Sequence, residues 1–198
     1  VHIKHGKVVV NPDQPKTPQD KLPDNPSQGY PTGVDSDSLN KTITRTIEVL
    51  DPHTGKTTTT QTVYLTRQAT VDEVTGQGTY GDWTTGEWDE FVVPAVAGYT
   101  PSESKVASQA VTGQTNDTTV TITYTANDQQ TNIIYRDKDG NTIKTDTVNG
   151  KTDQTVKTNS TVPAGWEVVT GEKPAPSEIK FIGDHTPDTI ITVQHKHD

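Results

Sequence analysis

Alternation between β-branched apolar residues and threonine is the feature of this sequence that most restricts its fold. In the run Lys41–Val49, the apolar residues Ile43, Ile47 and Val49 share one parity, and polar residues lie between them. A period of two places one set of side chains on a buried face of a strand and the other set in solvent. The chain has 37 threonines and 32 valines and isoleucines, but only four leucines and no methionine. Since β-branched residues favour sheets, the sequence predicts a mostly β protein.

The order of strands and turns is repeated in the two halves of the chain. Each half has an alternating strand, a turn with Asp and Gly, a returning strand, a turn with Gly and an aromatic residue, and a final alternating strand. The matching pairs are the turns Asp51–Gly55 and Asp137–Asn141, the turns around Gly98–Thr100 and Gly165–Glu167, and the final strands Thr118–Thr125 and Thr189–His195. The repeat predicts a first module at residues 1–127, with its core at about 41–126, and a second module at 128–198.

A proline-rich segment lies between a first predicted strand, Val1–Val10, and the core of the first module. Residues 11–37 hold six of the 13 prolines. Because proline lacks a backbone donor, this segment is expected to be extended and to stay out of central strands and helices. Two interpretations remain open, namely a stiff strap along a domain surface and a flexible linker.

The two ends of the chain are similar to each other. The run Val193–Asp198 is similar in sequence to Val1–Gly6. Repeat arrays produce such a match when one unit overlaps the next. We therefore expect neighbouring repeats in the same chain.

Charge and composition exclude several classes of partner. The net charge is −9 and there is no basic run, so nucleic acids and anionic membranes are poor partners. The apolar runs are only a few residues long, which predicts no membrane insertion, and no signal peptide is visible. The absence of cysteine removes disulfides, thiol catalysis and thiolate metal sites.

Motifs for catalysis are missing. No serine lies in a Gly-x-Ser-x-Gly motif, and neither a phosphate-binding loop nor a His-Glu-x-x-His motif is present. Acidic pairs such as Asp72/Glu73 are common on any acidic surface. The sequence therefore predicts that the protein is not an enzyme.

The turn around Asp137, Asp139 and Asn141 is a candidate calcium site. The spacing is similar to the start of a calcium loop, but the distant glutamate of a full loop is missing. A hairpin turn already explains these residues, because Asp-Gly supplies the positive φ that tight hairpins need. We expect no cofactor, with calcium at this turn as the alternative.

Two further groups are weaker candidates for holding a cation. They are the terminal histidines His2, His5, His195 and His197, and the acidic residues Asp82, Glu87, Asp89 and Glu90. His195 and His197 would share one face of a strand and could chelate one ion. The alternative is that they lie in solvent without further ligands, which is the interpretation we favour.

Three aromatic residues are the candidate ligand-binding residues: Tyr80, Trp83 and Trp88. A flat apolar ring with a polar edge suits a pyranose, whereas the alternative is that these rings fill the thin core of the first module. Tyr80 and Trp88 flank glycine-rich turns and are the pair expected to be exposed.

Several motifs in the same order resemble the Mub repeats of lactobacillus mucus-binding proteins. They are Thr44–Ile47, Thr66–Arg67, Val71–Gly76, Tyr80–Thr84 and Gly98–Pro101. Residues 130–198 resemble the companion module of such a repeat, which is related to the MucBP domain. The resemblance covers essentially the whole chain.

The resemblance implies two small β-grasp (ubiquitin-like) modules arranged end to end as an elongated rod. It also implies a repeat unit of an extracellular adhesin, anchored to the cell wall of a Gram-positive bacterium, that binds host mucin glycoproteins and, in some repeats, immunoglobulins. The alternative is a structural stalk repeat with no ligand of its own.

The sequence departs from the family pattern in two places. A β-grasp module has a helix across its sheet, but the only candidate is one short turn at Thr152–Thr158. Leu22–Pro26 begins like a cell-wall sorting signal but lacks its Thr-Gly and its apolar tail, so an ordinary turn is expected there.

Overall fold

Strands make up most of the regular structure. A computed structural model describes residues 6–197 of the chain. The first strands in chain order are β1 (Lys7–Val10), β2 (Lys21–Leu22), β3 (Asn25–Gly29), β4 (Asn40–Asp51), β5 (Gly55–Thr66), β6 (Ala69–Asp72), β7 (Gly78–Tyr80), β8 (Gly86–Trp88), β9 (Phe91–Val92) and β10 (Tyr99–Pro101). They are followed by β11 (Lys105–Val106), β12 (Gln109–Val111), β13 (Thr118–Ile122), β14 (Tyr124–Ala126), β15 (Asp128–Arg136), β16 (Thr142–Lys151), β17 (Thr155–Lys157), β18 (Trp166–Val168), β19 (Glu178–Lys180) and β20 (Thr189–His195). One short helix, α1 (Ser36–Leu39), is found in the described part. The prediction of a mostly β protein is confirmed.

The described residues form two compact units. The first unit comprises residues 6–50, 54–93 and 105–122, and the second comprises residues 51–53, 94–104 and 123–197. The division into modules at residues 127 and 128 stays a prediction.

The first unit is built on a sheet with the strand order β13-β4-β5. The final strand β13 runs parallel to β4, with Val120 opposite Ile47. Ile43, Ile47 and Val49 are buried, as the alternation predicts. Arg45 has the same parity and is buried with them.

The proline-rich segment packs onto a second core of the first unit. Its residues Leu22, Tyr30 and Val34 are buried in a cluster with Val10 and Val71. Strands β2 and β3 form a two-stranded ribbon within the segment. The strap interpretation is therefore confirmed, and the interpretation as a flexible linker is wrong.

The second unit has a four-stranded sheet with the order β16-β15-β20-β18. Strands β15 and β16 form a hairpin, and the last strand, β20, lies parallel to β15 in the middle of the sheet. This strand order is the one expected of a β-grasp sheet. The short helical turn expected at Thr152–Thr158 is wrong, because that stretch contains β17, which pairs with β19. The β-branched side chains of Val156 and Ile179 pack this ribbon against the core.

The duplicated order of elements is reproduced in the strand pairing. In one copy the Asp117 carboxylate accepts a hydrogen bond from the Thr44 N–H at 2.8 Å, and in the other Asp188 accepts one from the Asn132 N–H at 3.0 Å. The repeated order predicted from the sequence is therefore confirmed.

One predicted strand is divided. Thr118–Thr125 was expected to be continuous, but β13 ends at Ile122 and β14 begins at Tyr124. Between them the Thr123 N–H donates to the Ser102 hydroxyl at 3.0 Å, and the Ser102 N–H donates to the Thr123 carbonyl at 2.7 Å. The two hydrogen bonds between Ser102 and Thr123 thus take the place of strand pairing at the break between β13 and β14.

Candidate ligand-binding site

Trp88 belongs to the core of the first unit. Its side chain is only 1% exposed, and its indole N–H donates to the Ile43 carbonyl at 3.4 Å. Gly86 allows this close packing, since a Cβ there would lie 2.6 Å from a Val63 methyl carbon. The expectation that Trp88 is exposed is wrong, because a glycine that looks like a loop residue in the sequence serves instead for close approach between strands.

Tyr80 and Trp83 are brought together by an arginine. The Arg67 guanidinium carbon lies 3.5 Å from the centre of the Tyr80 ring and 4.4 Å from the centre of the Trp83 ring. The Arg67 Nε donates to the Ser38 carbonyl at 2.9 Å, and the Tyr80 hydroxyl donates to the Gly33 carbonyl at 2.7 Å. Cation–π contacts of this kind hold the guanidinium in one orientation.

The two aromatic side chains differ in how open they are. Tyr80 is 50% exposed. Trp83 is half-buried and packs against the core, with the Lys41 ammonium 5.6 Å from its ring centre. A Cβ at Gly113 would lie 2.4 Å from the Trp83 ring, so the backbone of Gly113 closely approaches it. Tyr80 is therefore the ring that solvent reaches more freely.

A groove of about 320 Å³ lies beside this cluster. It is lined by Pro12, Thr66, Arg67, Gln68, Gly81, Asp82 and Thr84. The terminal nitrogens of Arg67 make no hydrogen bond to another described residue, so they remain available as donors. The sequence singled out Tyr80 and Trp83, but it did not indicate that Arg67 lies between them.

The Asp137 carboxylate accepts its hydrogen bonds from residues of its own turn. It accepts hydrogen bonds from the N–H groups of Asp139 and Asn141, each at 2.9 Å, and from the Asn141 side-chain amide at 3.1 Å. These bonds, above all those with Asn141, hold the pKa of the Asp137 carboxyl below its usual range. Gly140 has a φ of 85°, as the hairpin prediction requires. A calcium ion at this turn stays a prediction.

The histidine and acidic candidates form no metal centre within residues 6–197. No group of three or more histidine, aspartate and glutamate side chains there is arranged to hold a metal ion. His2 and His5 lie outside the described residues. His195 instead stacks on Trp166, with ring centres 3.9 Å apart and an angle of 28° between the rings.

The pair of Trp166 and His195 was missed by the sequence reasoning, although each residue was noted separately. They are cross-strand partners in the pairing of β18 with β20. In the other copy Tyr99 has the position of Trp166, and it lies opposite Ala126 in the pairing of β10 with β14, so no ring stacks on it from that strand.

A polar network around Ser160 was also not foreseen. The Ser160 hydroxyl donates to the Asp146 carboxylate at 2.6 Å and lies 2.7 Å from the Tyr135 hydroxyl. The bond from Ser160, followed by the nearby Lys144 ammonium, lowers the pKa of Asp146.

A membrane-spanning helix is not found in the described part of the chain, where no helix is long and apolar enough to cross a bilayer.

Comparisons with known proteins place the chain in a family. A family model for the Muc B2-like domain matches residues 34–128. The chain is 42% identical to the mucin-binding domain of Spr1345 from Streptococcus pneumoniae, and the match covers 43% of this chain and 89% of that domain, with a TM-score of 0.39. It is 32% identical to the MucBP domain of an adhesion protein from Pediococcus pentosaceus, over 44% of this chain and 99% of that domain, with a TM-score of 0.34.

A longer match is found with a whole repeat. The type 2 repeat of the mucus-binding protein MUB from Lactobacillus reuteri is 26% identical, over 62% of this chain and 60% of that structure, with a TM-score of 0.39. The match therefore spans less than two thirds of that repeat. No curated protein shows significant similarity to the chain.

The chain belongs to the MucBP/Mub family of mucus-binding domains. The sequence identity to two solved domains of this family extends over 89% and 99% of their lengths. The resemblance proposed from the sequence motifs is confirmed. The family is one of adhesin domains and not of enzymes.

Proposed function

We propose that the chain is a repeat unit of an extracellular bacterial adhesin that binds host mucin glycoproteins. The observation that carries this proposal is the 42% identity to a mucin-binding domain, of which 89% is covered. Anchoring to the cell wall of a Gram-positive bacterium and the presence of neighbouring repeats belong to the same proposal. Tandem copies would raise the avidity of individually weak contacts.

The groove beside Arg67 is the contact that we propose in the first unit. Two rings hold the guanidinium in place, so little side-chain entropy is lost when it binds a ligand. Its free donors match a carboxylate or a sulfate group of an acidic sugar. The exposed part of Tyr80 lies next to the guanidinium and offers a flat surface to the sugar ring.

Binding of the full chain to immobilised mucin tests this proposal. We expect saturable binding that is lost when the glycans are removed from the mucin. Tyr80→Ala should weaken binding about twofold to tenfold, because an aromatic contact contributes about 0.5–1.5 kcal/mol. Tyr64→Ala is the matched control, since Tyr64 is 76% exposed in the same unit.

Each outcome has a defined meaning. A folded chain that does not bind mucin would contradict the proposal and favour the structural stalk. Binding that is unchanged after removal of the glycans would contradict recognition of sugars. Equal binding by the Tyr80→Ala and Tyr64→Ala variants would contradict the site at Arg67 while leaving the adhesin function in place.

Immunoglobulins are a second class of partner, supported by the position of β5. This strand lies at the edge of its sheet, and its residues Thr57–Thr60 are exposed. An edge strand can bind a partner by adding a strand to the sheet, with affinity supplied by backbone hydrogen bonds. Immobilised immunoglobulin G, tested in parallel with mucin, decides whether the chain has this second activity.

A further inference from the structure

A second groove lies in the second unit, and its lining residues differ from those of the groove beside Arg67. It has a volume of about 290 Å³ and is lined by Asp137, Lys138, Asp139, Trp166, Val193, Gln194 and His195. This volume lies at the lower end of the range for ligand pockets, which is about 300–1,000 Å³, so the groove suits a small ligand.

Two stacked rings line the groove. Trp166 is half-buried and packs against the core of the second unit, and its backbone N–H donates to the Pro163 carbonyl at 3.1 Å. His195 is exposed and stacks on the indole at 3.9 Å. The indole packs against one face of the imidazole and holds it in place. The exposed imidazole therefore presents a flat, pre-organised surface.

Hydrogen-bonding groups with few internal partners surround this surface. Asp139 is exposed, and its carboxylate accepts no hydrogen bond from another described residue. The Gln194 side-chain amide donates to the Glu167 carboxylate at 3.1 Å, which leaves its carbonyl oxygen available as an acceptor. With two aspartates and one lysine among its lining residues, the groove is rich in acceptors and has a net negative charge.

The equivalent turn in the other copy shows how this groove differs. His53 and Tyr99 belong to the other copy and lie in the same compact unit as the groove. The His53 imidazole and the Tyr99 hydroxyl both donate to the carboxylate of Asp153, a residue of the second half of the chain, at 2.7 Å and 2.5 Å. Asp139 occupies the turn position of His53, and Trp166 occupies the position of Tyr99. The groove therefore has an acceptor where the other copy has donors, and a carboxylate ligand would be repelled by it.

We infer that this groove binds a neutral pyranose, with the sugar ring stacked on His195 and a sugar hydroxyl donating to Asp139. The inference rests on the glycan-binding function proposed above and specifies a second class of sugar for it. The hydroxyls of a neutral sugar can donate hydrogen bonds to the acceptors of the groove. A sialic acid carboxylate or a sulfate would instead be repelled by the negative charge of the Asp139 carboxylate. The two units would then divide acidic and neutral sugars between them.

Nuclear magnetic resonance of the full chain provides the first test. Titration with methyl β-galactopyranoside or with N-acetylgalactosamine at millimolar concentrations should shift the Trp166 indole N–H and the amides of Asp139 and His195. The acidic sugar N-acetylneuraminic acid should leave these signals unchanged. Shifts that occur elsewhere, or equal shifts with the acidic sugar, would overturn the inference.

Matched variants provide the second test, on mucin from which sialic acid has been removed. His195→Ala and Asp139→Asn should each weaken binding about threefold to tenfold, whereas the controls His185→Ala and Glu172→Gln should bind like the parent chain. His185 and Glu172 are exposed in the same unit and do not line the groove. Asp139→Asn keeps the turn intact, because the Asp139 side chain makes no bond within it.

The inference and the proposed function can fail separately. If the parent chain binds desialylated mucin but both groove variants behave like their controls, the groove inference is wrong and the adhesin function stands. If the parent chain binds no mucin while galactoside still shifts Trp166, the groove is a sugar site and the adhesin function is wrong. If the groove signals shift with protein concentration and not with sugar, the surface joins copies of the chain, and the inference is overturned.

Discussion

Two glycines lie at equivalent turns of the second unit, and replacing each by alanine distinguishes the effect of backbone strain from that of steric crowding. Gly98 has a φ of 82° and Gly165 a φ of 84°, both in the left-handed region that favours glycine. An alanine in that region is destabilised by about 1–2 kcal/mol whatever surrounds it. This contribution is therefore common to Gly98→Ala and Gly165→Ala.

The surroundings of the two glycines differ sharply. A Cβ at Gly98 would lie 2.2 Å from the Gly183 carbonyl oxygen and 2.6 Å from the Thr152 side chain, whereas a Cβ at Gly165 would meet nothing within 4 Å. Gly98 also accepts a hydrogen bond from the Thr152 hydroxyl at 2.8 Å and donates one to the Asp184 carboxylate at 2.6 Å. Overpacking adds about 1–3 kcal/mol, so we expect a loss of about 1–2 kcal/mol for Gly165→Ala and about 2–5 kcal/mol for Gly98→Ala.

Native-state amide hydrogen exchange of β15 measures the free energy of opening of the second unit directly. This measurement is preferable to one urea transition, because a chain with two compact units need not unfold in a single step. Equal losses for the two variants would refute the argument from crowding. A larger loss for Gly165→Ala would reverse the predicted order and would refute the argument as well.

Two further predictions concern the core and the Asp-Gly turn. Trp88→Ala should destabilise the first unit by about 3–5 kcal/mol, while Tyr64→Ala should change its stability by less than about 0.5 kcal/mol, as measured by hydrogen exchange in β4. Hydrogen bonds from Asn141 lower the pKa of Asp137 in the folded state, so its stabilisation is present above the unfolded pKa of about 3.9 and is lost as the pH falls through the lower folded pKa. Asp137→Ala should therefore reduce the loss of stability between about pH 5 and pH 2, and an unchanged pH profile would contradict this assignment.

Much of the fold could be predicted from local patterns. The alternation in β4 identified its buried face, and the order of strands and turns was correctly predicted to be repeated. The structure added that the final strand of each copy pairs in parallel with its first strand. These predictions succeed because a period of two and a turn with positive φ are properties of neighbouring residues.

The candidate site was predicted less completely. Tyr80 is exposed as expected, but Trp88 is buried and Trp83 is half-buried. The glycines near Trp88 suggested an exposed loop. In the structure one of them, Gly86, lies in a strand and lets the Val63 side chain approach closely. The exposure of an aromatic side chain depends on which distant strand packs over it, and the local sequence does not specify this.

The sequence by itself determined the β class, the hairpin turns, the internal repeat and the family, since all of these depend on residue types and short spacings. Only the tertiary structure placed Arg67 between Tyr80 and Trp83, and stacked His195 on Trp166 next to Asp139. The physical reason is register. Stacking and free hydrogen-bonding groups arise where strands far apart in the sequence come to lie side by side, and a shift of one residue would turn those side chains to the opposite face.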